Sequence, residues 1–388
     1  STTVAASGDP YLWLEDIHGA QSRDWVHAQN TVTKKAFMES PEFDKTRGDI
    51  LEVLDSEARI PYVQRMGDYL YNFCQDKAHP RGIWRRTTLG EFRKADPKWE
   101  TVLDIDGLNK TDGKKWVFKG AQCMKPDYVH CLVSLSPGGG DAVEVREFDL
   151  PNKSFVKTGF FLPVAKTEIS WIDANHVYVG TDFGPGSMTK SSYPRIVKEW
   201  TRGTPLSSAK LVYEGKPGVL AIGAHHDRTQ GFERDFVSVQ KDFFHGDMFQ
   251  SKDGKLVKVD VPEDASADVH RQWLLVQTKS PWPVGGKTWP AGALIAMNFD
   301  DFMAGQRDFT ALFTPDAHTA LAGYSWTRHH IILDVLDDVK SRLDVLTPPA
   351  SGNGAWAREA LPGAPKFSTV AVVDTDPDRS DEYWLTVT

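Results

Sequence analysis

The sequence predicts a mainly β protein that forms a β-propeller, preceded by a short helical segment. From Pro61 onward, short runs of β-branched and aromatic residues alternate with clusters of Gly, Pro, Asn and Asp, as antiparallel strands and their turns do. The runs continue to Thr388. A single sandwich or barrel rarely grows so large, whereas a ring of four-stranded blades does. The predicted strands cover residues 69–73, 82–87, 99–103, 129–135, 143–150, 176–181, 195–200, 236–240, 273–278, 293–299, 330–335, 342–346, 368–373 and 382–387.

The number of blades is left open by spacing alone. If the β-rich stretch is divided into seven units, each unit has about 47 residues, which is within the usual size of a propeller blade. The last blade contains only two of the predicted strands, and the chain ends inside a strand-like run. An unpaired strand edge favours aggregation, so we expect the last blade to be incomplete through truncation.

The first 60 residues have a different pattern, typical of helices. Trp25 and Val32 fall at helical spacing, and Ser40-Pro41 separates two helical stretches. We therefore predict two domains, a helical extension over residues 1–60 and a propeller over residues 61–388.

Composition limits the class of function. The chain of 388 residues carries a net charge of −8 and has no basic stripe, which argues against a nucleic-acid partner. No apolar run is long enough to span a bilayer, so we predict no membrane partner. The N-terminal stretch shows no signal-peptide pattern. Cys74, Cys123 and Cys131 are predicted to be buried free thiols. Free thiols favour a cytoplasmic over a periplasmic location without deciding between them.

Four segments, in order along the chain, carry a resemblance to a known family. They are DPYLWLED at residues 9–16, WVHAQN at 25–30, TDFGPGSMT at 181–189 followed by Tyr193-Pro194-Arg195, and LDVLDDVKSRL at 333–343. Together they resemble the prolyl oligopeptidase family of serine peptidases.

The resemblance implies a helical extension, a seven-bladed propeller and a following α/β-hydrolase domain. It also implies cleavage of short peptides after proline, with the propeller acting as a size filter. The catalytic Ser, Asp and His of that family belong to the hydrolase domain, so no catalytic residue is assigned here. Accordingly, no serine in this chain has the Gly-x-Ser-x-Gly surroundings of a nucleophile elbow. We expect the chain alone to be inactive, with short proline-containing peptides and the hydrolase domain of its parent protein as partners.

Four residues are candidates for facing the substrate or the partner domain. Lys166 and Glu168 lie at the start of a predicted inner strand, where their charges could meet peptide termini. Tyr193 and Arg195 follow the glycine-rich stretch at 184–186, and the Arg195 guanidinium could bind a carboxylate. For each pair, a structural role at a strand end or in a long turn remains the alternative.

Other motifs predict structure rather than chemistry. The His225-His226 and His329-His330 pairs are poor chelators because neighbours on a strand point to opposite faces, so no metal or other cofactor is predicted. Gly138-Gly139-Gly140 is expected to form a hairpin turn. The thirteen tryptophans are expected to pack between blades.

Two other functions remain open. The chain could be a free-standing propeller that binds a protein or a ligand, or a propeller glycosidase with paired carboxylates. Reading the coding frame beyond Thr388 for a Gly-x-Ser-x-Gly motif separates the peptidase from the binding module.

Overall fold

The computed structural model describes residues 8–56, 58–361 and 368–388. Its contacts divide the chain into two units, one made of residues 1–60 and 75–80 and the other of residues 61–74 and 81–388. The domain boundary predicted after residue 60 remains a prediction.

The first unit is helical. A 3₁₀ turn at Leu12–Glu15 is followed by helices α1 (Ala20–Phe37) and α2 (Pro41–Leu54). The side chain of Ser40 accepts a hydrogen bond from the backbone N–H of Phe43, and Pro41 occupies the first turn. A hydroxyl cap followed by proline is a favoured helix start, which explains why the chain separates into two helices at this point.

The second unit consists of antiparallel sheets in which strands that follow one another in sequence pair side by side. Short helices α3 (Leu89–Phe92), α4 (Ile105–Asp112) and α5 (Phe299–Met303) and a 3₁₀ turn at Leu206–Ser208 connect some of the strands. Blade 1 contains β1 (Gln64–Met66), β2 (Tyr69–Cys74), β3 (Ile83–Thr88) and β4 (Glu100–Asp104). Blade 2 contains β5 (Trp116–Cys123), β6 (His130–Pro137), β7 (Val143–Asp149), β8 (Ser154–Phe155) and β9 (Phe161–Ala165). Blade 3 contains β10 (Glu168–Asp173), β11 (His176–Gly180), β12 (Ile196–Thr201) and β13 (Lys210–Glu214).

The remaining blades repeat this arrangement. Blade 4 contains β14 (Ala221–Asp227), β15 (Arg234–Gln240), β16 (Gly246–Lys252) and β17 (Lys255–Lys258). Blade 5 contains β18 (Ser266–His270) and β19 (Trp273–Gln277), an inserted ribbon of β20 (Trp282–Val284) and β21 (Lys287–Trp289), and then β22 (Leu294–Asn298) and β23 (Thr310–Phe313). Blade 6 contains β24 (Thr319–Trp326), β25 (Ile331–Asp337), β26 (Lys340–Thr347) and β27 (Ala357–Ala360). The closing hairpin consists of β28 (Val370–Thr375), β29 (Tyr383–Val387) and the turn between them.

The propeller therefore has six blades, and the predicted seven-bladed fold is wrong in its number of blades. Among the described residues, the segment 368–388 forms a two-stranded ribbon rather than a four-stranded blade. Equal division of the chain overlooked the fifth strand of blade 2 and the inserted ribbon of blade 5, both of which lengthen their blades. The mainly β class and the short helical segment agree with the prediction.

The hydrophobic core is distributed between neighbouring blades. Each buried cluster combines side chains of two consecutive sheets, for example Trp84 of blade 1 with Cys131 of blade 2, and Trp171 of blade 3 with Leu132 of blade 2. Cys131 and Leu132 are neighbours on β6 and face different clusters because successive strand side chains point to opposite faces. Several of the tryptophans, including Trp84 and Trp171, are buried between blades, which confirms their predicted packing role.

Candidate functional site

The first strands of neighbouring blades approach one another on the inner side of the ring. Ser170 of β10 donates a hydrogen bond to the carbonyl of Ala224 on β14 at 2.7 Å, and the backbone N–H of Arg65 on β1 donates to Asp374 of β28 at 2.7 Å. Strands β1, β5, β10 and β28 together line a cavity of about 510 Å³, which we call the channel pocket. We take it as the candidate site because its volume suits a small ligand and it contains several charged side chains.

Two irregular strands shape this pocket. The register of β5 shifts between Phe118 and Gly120, and that of β28 shifts between Val372 and Asp374. Gly120 has a φ of 121°, a conformation that L side chains rarely adopt. A β-bulge redirects the side chains that follow it. Lys119 and Asp374 lie at these two bulges, and both line the pocket.

Three carboxylates line the channel pocket without an ion-pair partner among the described residues. The side chain of Glu168 has no hydrogen-bond or ion-pair partner among the described residues, and burial by the surrounding strands raises its pKa. Burial also raises the pKa of Asp374, although the backbone N–H of Arg65 partly offsets this effect. Asp376 is only 6% exposed, and its Oδ2 atom has no partner within the described part of the chain.

The cations of the pocket, in contrast, are occupied. Arg65 pairs with Glu382, and Lys125 pairs with Asp378 at 2.7 Å. Burial alone would lower the pKa of Lys125, but the hydrogen bond and charge of Asp378 outweigh this and raise it. Lys119 donates to the carbonyl oxygen of Gly139 at 3.1 Å. Arg65 and Lys125 are therefore paired with carboxylates that do not themselves line the pocket, whereas Lys119 contacts a neutral carbonyl oxygen.

A disulfide between Cys123 and Cys131 joins β5 and β6 at this pocket. The two residues are direct partners across the strands, so their side chains lie on the same face of the sheet. The prediction of three free thiols is thus wrong for this pair, whereas Cys74 is a free cysteine. A strand pattern identifies which residues are buried, but it does not give the cross-strand register that brings two thiols together.

The four predicted site residues separate into three environments. Lys166 lies 4.1 Å from the centre of the Tyr193 ring, and both contact Asp141, Lys166 at 3.6 Å and the Tyr193 hydroxyl at 3.1 Å. The Arg195 guanidinium donates hydrogen bonds to Glu214 at the end of β13 and to the backbone carbonyl oxygens of Gly186 and Gly215. Of the four residues, only Glu168 lines the channel pocket. Their predicted roles toward a substrate or a partner domain remain predictions.

Sequence reasoning missed a second group of inner-strand residues, on β14 and β18. Burial lowers the pKa of His225 and raises that of Asp268. Burial, together with the nearby charge of Arg271, lowers the pKa of His270 to about 4. The ring of His270 stacks on Trp326 with 4.5 Å between their centres. The signal available in the sequence was a polar residue at every second position of a short β-prone run, Asp268 and His270 being one example.

The His225-His226 pair lies within β14. His225 stacks on Phe236, and Nδ1 of His226 lies 2.9 Å from Asp235. Across the described ranges, no group of three or more His, Cys, Asp or Glu side chains is arranged to hold a metal ion. The glycine-rich segment at 138–140 lies in the turn between β6 and β7, as predicted.

The turn of the closing hairpin is tied to several blades. Asp381 accepts hydrogen bonds from Thr327 and from the backbone of His329, each at 2.7 Å. Arg271 donates to the carbonyl oxygen of Pro377 at 2.9 Å, and Arg379 pairs with Asp68 at 3.1 Å. These contacts connect the hairpin with blades 1, 5 and 6.

The fold and its inner pocket define a β-propeller domain with a charged cavity of ligand size. Over residues 3–371 the chain matches the family described as prolyl oligopeptidase, N-terminal beta-propeller domain, and it belongs to that family.

Curated relatives and solved structures agree with this assignment. The chain is 32% identical over 391 residues to the uncharacterized peptidase y4nA of Sinorhizobium fredii, covering 98% of this chain and 53% of the relative. It is 28% identical to an uncharacterized peptidase of Rickettsia prowazekii, covering 90% of this chain and 50% of that protein. The structure of a post-proline cleaving enzyme from Rickettsia typhi superposes with a TM-score of 0.88 at 26% identity, over 97% of this chain and 56% of that one. The chain thus spans about half the length of the relatives it matches.

Among the described residues, no helix combines the length and apolar character needed to cross a bilayer.

Proposed function

We propose that this propeller controls access to the catalytic domain of a serine peptidase that cleaves short peptides on the carboxyl side of proline. The observation that carries the proposal is the match of almost the whole chain to half of a post-proline cleaving enzyme, with a TM-score of 0.88. In this proposal a hydrolase domain of the parent protein performs acyl transfer with a Ser–His–Asp triad. The ring of blades limits the size of the peptide that reaches it.

The structure supports a filtering role through its rigidity. The blades are joined by buried clusters between neighbouring sheets, and large fully buried side chains such as Phe148 and Phe236 contribute to them. Cores packed in this way resist expansion. A ring of this construction excludes folded proteins and admits only extended short peptides.

The experiment compares the 388-residue chain with the full-length parent protein on chromogenic proline peptides of increasing length. We expect turnover by the full-length protein only, falling steeply as the peptide becomes longer than the ring admits. Two results contradict the proposal. One is turnover by the pure 388-residue chain in proportion to its concentration. The other is equal cleavage of short peptides and of unfolded proteins by the parent. A stop codon directly after Thr388 would favour a free-standing binding module instead.

A further inference from the structure

We propose that the turn of the closing hairpin, residues 376–382, closes one end of the channel inside the ring, and that Lys125 and Arg271 hold it there. The turn is then a fixed barrier, and a peptide passes only through the opposite end of the ring. This inference rests on the proposed function and deepens it by naming residues that set the size limit of the peptide.

The order of the blades around the ring follows from the buried clusters that they share. Blade 5 packs against blade 6, and blade 6 packs against the closing hairpin through Ile332 and Val370. Blade 1 packs against blade 2 and meets the hairpin on its other side, where the backbone N–H of Arg65 donates to Asp374. The neighbours of the hairpin are therefore blades 6 and 1, while blades 5 and 2 lie one step further away.

The turn of the hairpin nevertheless contacts both of these more distant blades. Asp378 pairs with Lys125 of the β5–β6 turn in blade 2 at 2.7 Å. The carbonyl oxygen of Pro377 accepts a hydrogen bond from Arg271 of the β18–β19 turn in blade 5 at 2.9 Å. A turn can reach blades beyond both of its neighbours only if it extends inward over the channel. Residues 376–382 therefore lie over one end of the channel.

A second contact crosses the same end of the ring. Arg228 directly follows β14 in blade 4, and its Nε atom donates to the carbonyl oxygen of Lys125 in blade 2 at 3.0 Å. Its guanidinium also donates to the carbonyl oxygen of Ile172 in blade 3, the blade between them. The turn that carries Lys125 is thus held by blade 4 as well as by the hairpin.

The electrostatic surroundings of His270 agree with this convergence. Burial lowers the pKa of His270 to about 4, and the charges of Asp378 and Lys125 also act on the ring. These groups belong to blade 5, to the closing hairpin and to blade 2. Parts of the ring that are not neighbours therefore come close enough to interact at this end.

A turn held in this position limits the length of a peptide. While the turn is in place, the whole peptide must fit between it and a catalytic domain at the opposite end. Once the turn is released, the far end of a longer peptide can extend out of the ring. Short peptides do not use this exit, so their cleavage does not depend on the turn.

Hydrogen exchange of the 388-residue chain tests whether these contacts hold the turn. The variants are Lys125→Gln, Arg271→Gln and the two combined. The backbone N–H groups of Arg379 and Ser380 donate to the carbonyl oxygen of Asp376, both at 3.1 Å. We expect these amides to exchange about 10-fold faster or more in the double variant, the scale of one lost charge-assisted hydrogen bond.

Lys258→Gln is the matched control. Lys258 pairs with Asp247 at 2.9 Å inside blade 4, and its side chain is 41% exposed, close to the 45% of Lys125. The substitution removes the same kind of ion pair away from this end of the ring. It should leave the exchange of residues 376–382 unchanged.

Cleavage by the full-length parent protein tests whether the turn sets the size limit. The same variants are compared on proline peptides of increasing length. Peptides above the limit should be cleaved about 10-fold faster or more by the double variant, because the population with a released turn rises by that factor. The shortest peptides should be cleaved at an unchanged rate, which also shows that the variant is folded.

Two results overturn the inference. One is an unchanged exchange rate of residues 376–382 in the double variant, because the contacts then do not hold the turn. The other is faster exchange with an unchanged length limit, because the turn is then not the barrier. In both cases the proposed function stands if the unchanged parent protein cleaves short proline peptides and rejects long ones. A parent protein that cleaves both equally refutes the proposed function as well.

Discussion

Individual inner-strand residues have electrostatic environments that differ from those of the rest of the propeller. His270 is the clearest case, because burial lowers its pKa to about 4 and its ring stacks on Trp326. Its Nε2 atom also has no hydrogen-bond partner among the described residues. A histidine in this setting remains neutral at physiological pH and resists protonation as the solution becomes acidic.

This environment predicts a pH dependence of folding. The unfolded chain takes up a proton at His270 near pH 6.5, but the folded chain does so only near pH 4. Between these values the unfolded state binds more protons, so the free energy of unfolding should fall as the pH decreases from 6.5 to 4. Urea unfolding at several pH values measures the slope, and His270→Gln should reduce it. The remaining slope should include a contribution from His225, whose pKa is also lowered by burial.

The control for this prediction is His318→Gln, since His318 is exposed and lies beside Asp338 at the surface. This variant reports what the loss of an exposed histidine does to the slope, for comparison with the loss of the buried His270. An NMR titration of His270 with a midpoint near 6.5 would contradict the assigned environment.

At the scale of elements, most central strands of the blades were predicted, with β16 as the exception, and the inner strands largely were not. Strands such as β6 and β19 are buried on both faces and consist of apolar runs, so their positions agree with prediction within a few residues. The inner strands β14, β18 and β24 have one edge toward the channel and carry polar side chains. Their patterns resemble turns, and the predictions therefore passed over them.

The candidate site was only partly predictable for the same reason. Glu168 was predicted to face the channel from its position at the start of an inner strand, and it lines the channel pocket, while its role toward a substrate remains a prediction. Asp374 and Asp376 belong to a segment far along the chain that reaches the pocket only when the ring closes. No local pattern indicates that residues near 168 and near 376 line one cavity.

The pairing of β5 with β6 leads to a second prediction. The disulfide between Cys123 and Cys131 closes a short loop at the channel pocket. In the chain-entropy account, its removal should lower the free energy of unfolding by about 2–3 kcal/mol. Urea unfolding with and without a reducing agent measures this loss. Alkylation of the unfolded chain should label one thiol before reduction, Cys74, and three thiols after it.

Two outcomes would contradict this prediction. Labelling of three thiols without reduction would show that the disulfide does not form. A reduced chain that unfolds at the same urea concentration would show that strand pairing alone holds this part of the blade. A Cys74→Ser variant serves as the control, because it should change the labelling without changing the effect of reduction.

At the scale of the whole propeller, the ring differs from blade to blade in how its neighbours are joined. Consecutive blades share buried hydrophobic clusters, such as the one in which Leu274 and Ile295 of blade 5 pack with Phe236 of blade 4. The closing hairpin instead meets blade 1 through the Arg379–Asp68 and Arg65–Glu382 ion pairs, a hydrogen bond that the backbone N–H of Arg65 donates to Asp374, and an edge-to-face contact of Trp384 with Phe92. Exposed ion pairs are worth only about 0–1 kcal/mol each, so this junction should be the weakest of the ring.

Hydrogen exchange should therefore show that the ring opens first at this junction. Amides of β1 and β29 should exchange faster than those of β19 and β22, because local opening there requires less free energy than global unfolding. Salt near 1 M should widen this difference in exchange rate. At that concentration the Debye length is about 3 Å, so the surface ion pairs are weakened. Trp384→Ala should accelerate exchange in β1 strongly and Arg379→Gln only slightly.

Arg342→Gln is the matched control, because Arg342 is a partly exposed arginine that pairs with Asp337 inside blade 6. It should leave the exchange of β1 unchanged. Uniform exchange across the ring would mean that the junction is as stable as the packed contacts between blades. The distinction matters for the proposed control of access, because under that proposal a ring that opens at one defined seam would admit a longer peptide than a uniformly closed ring.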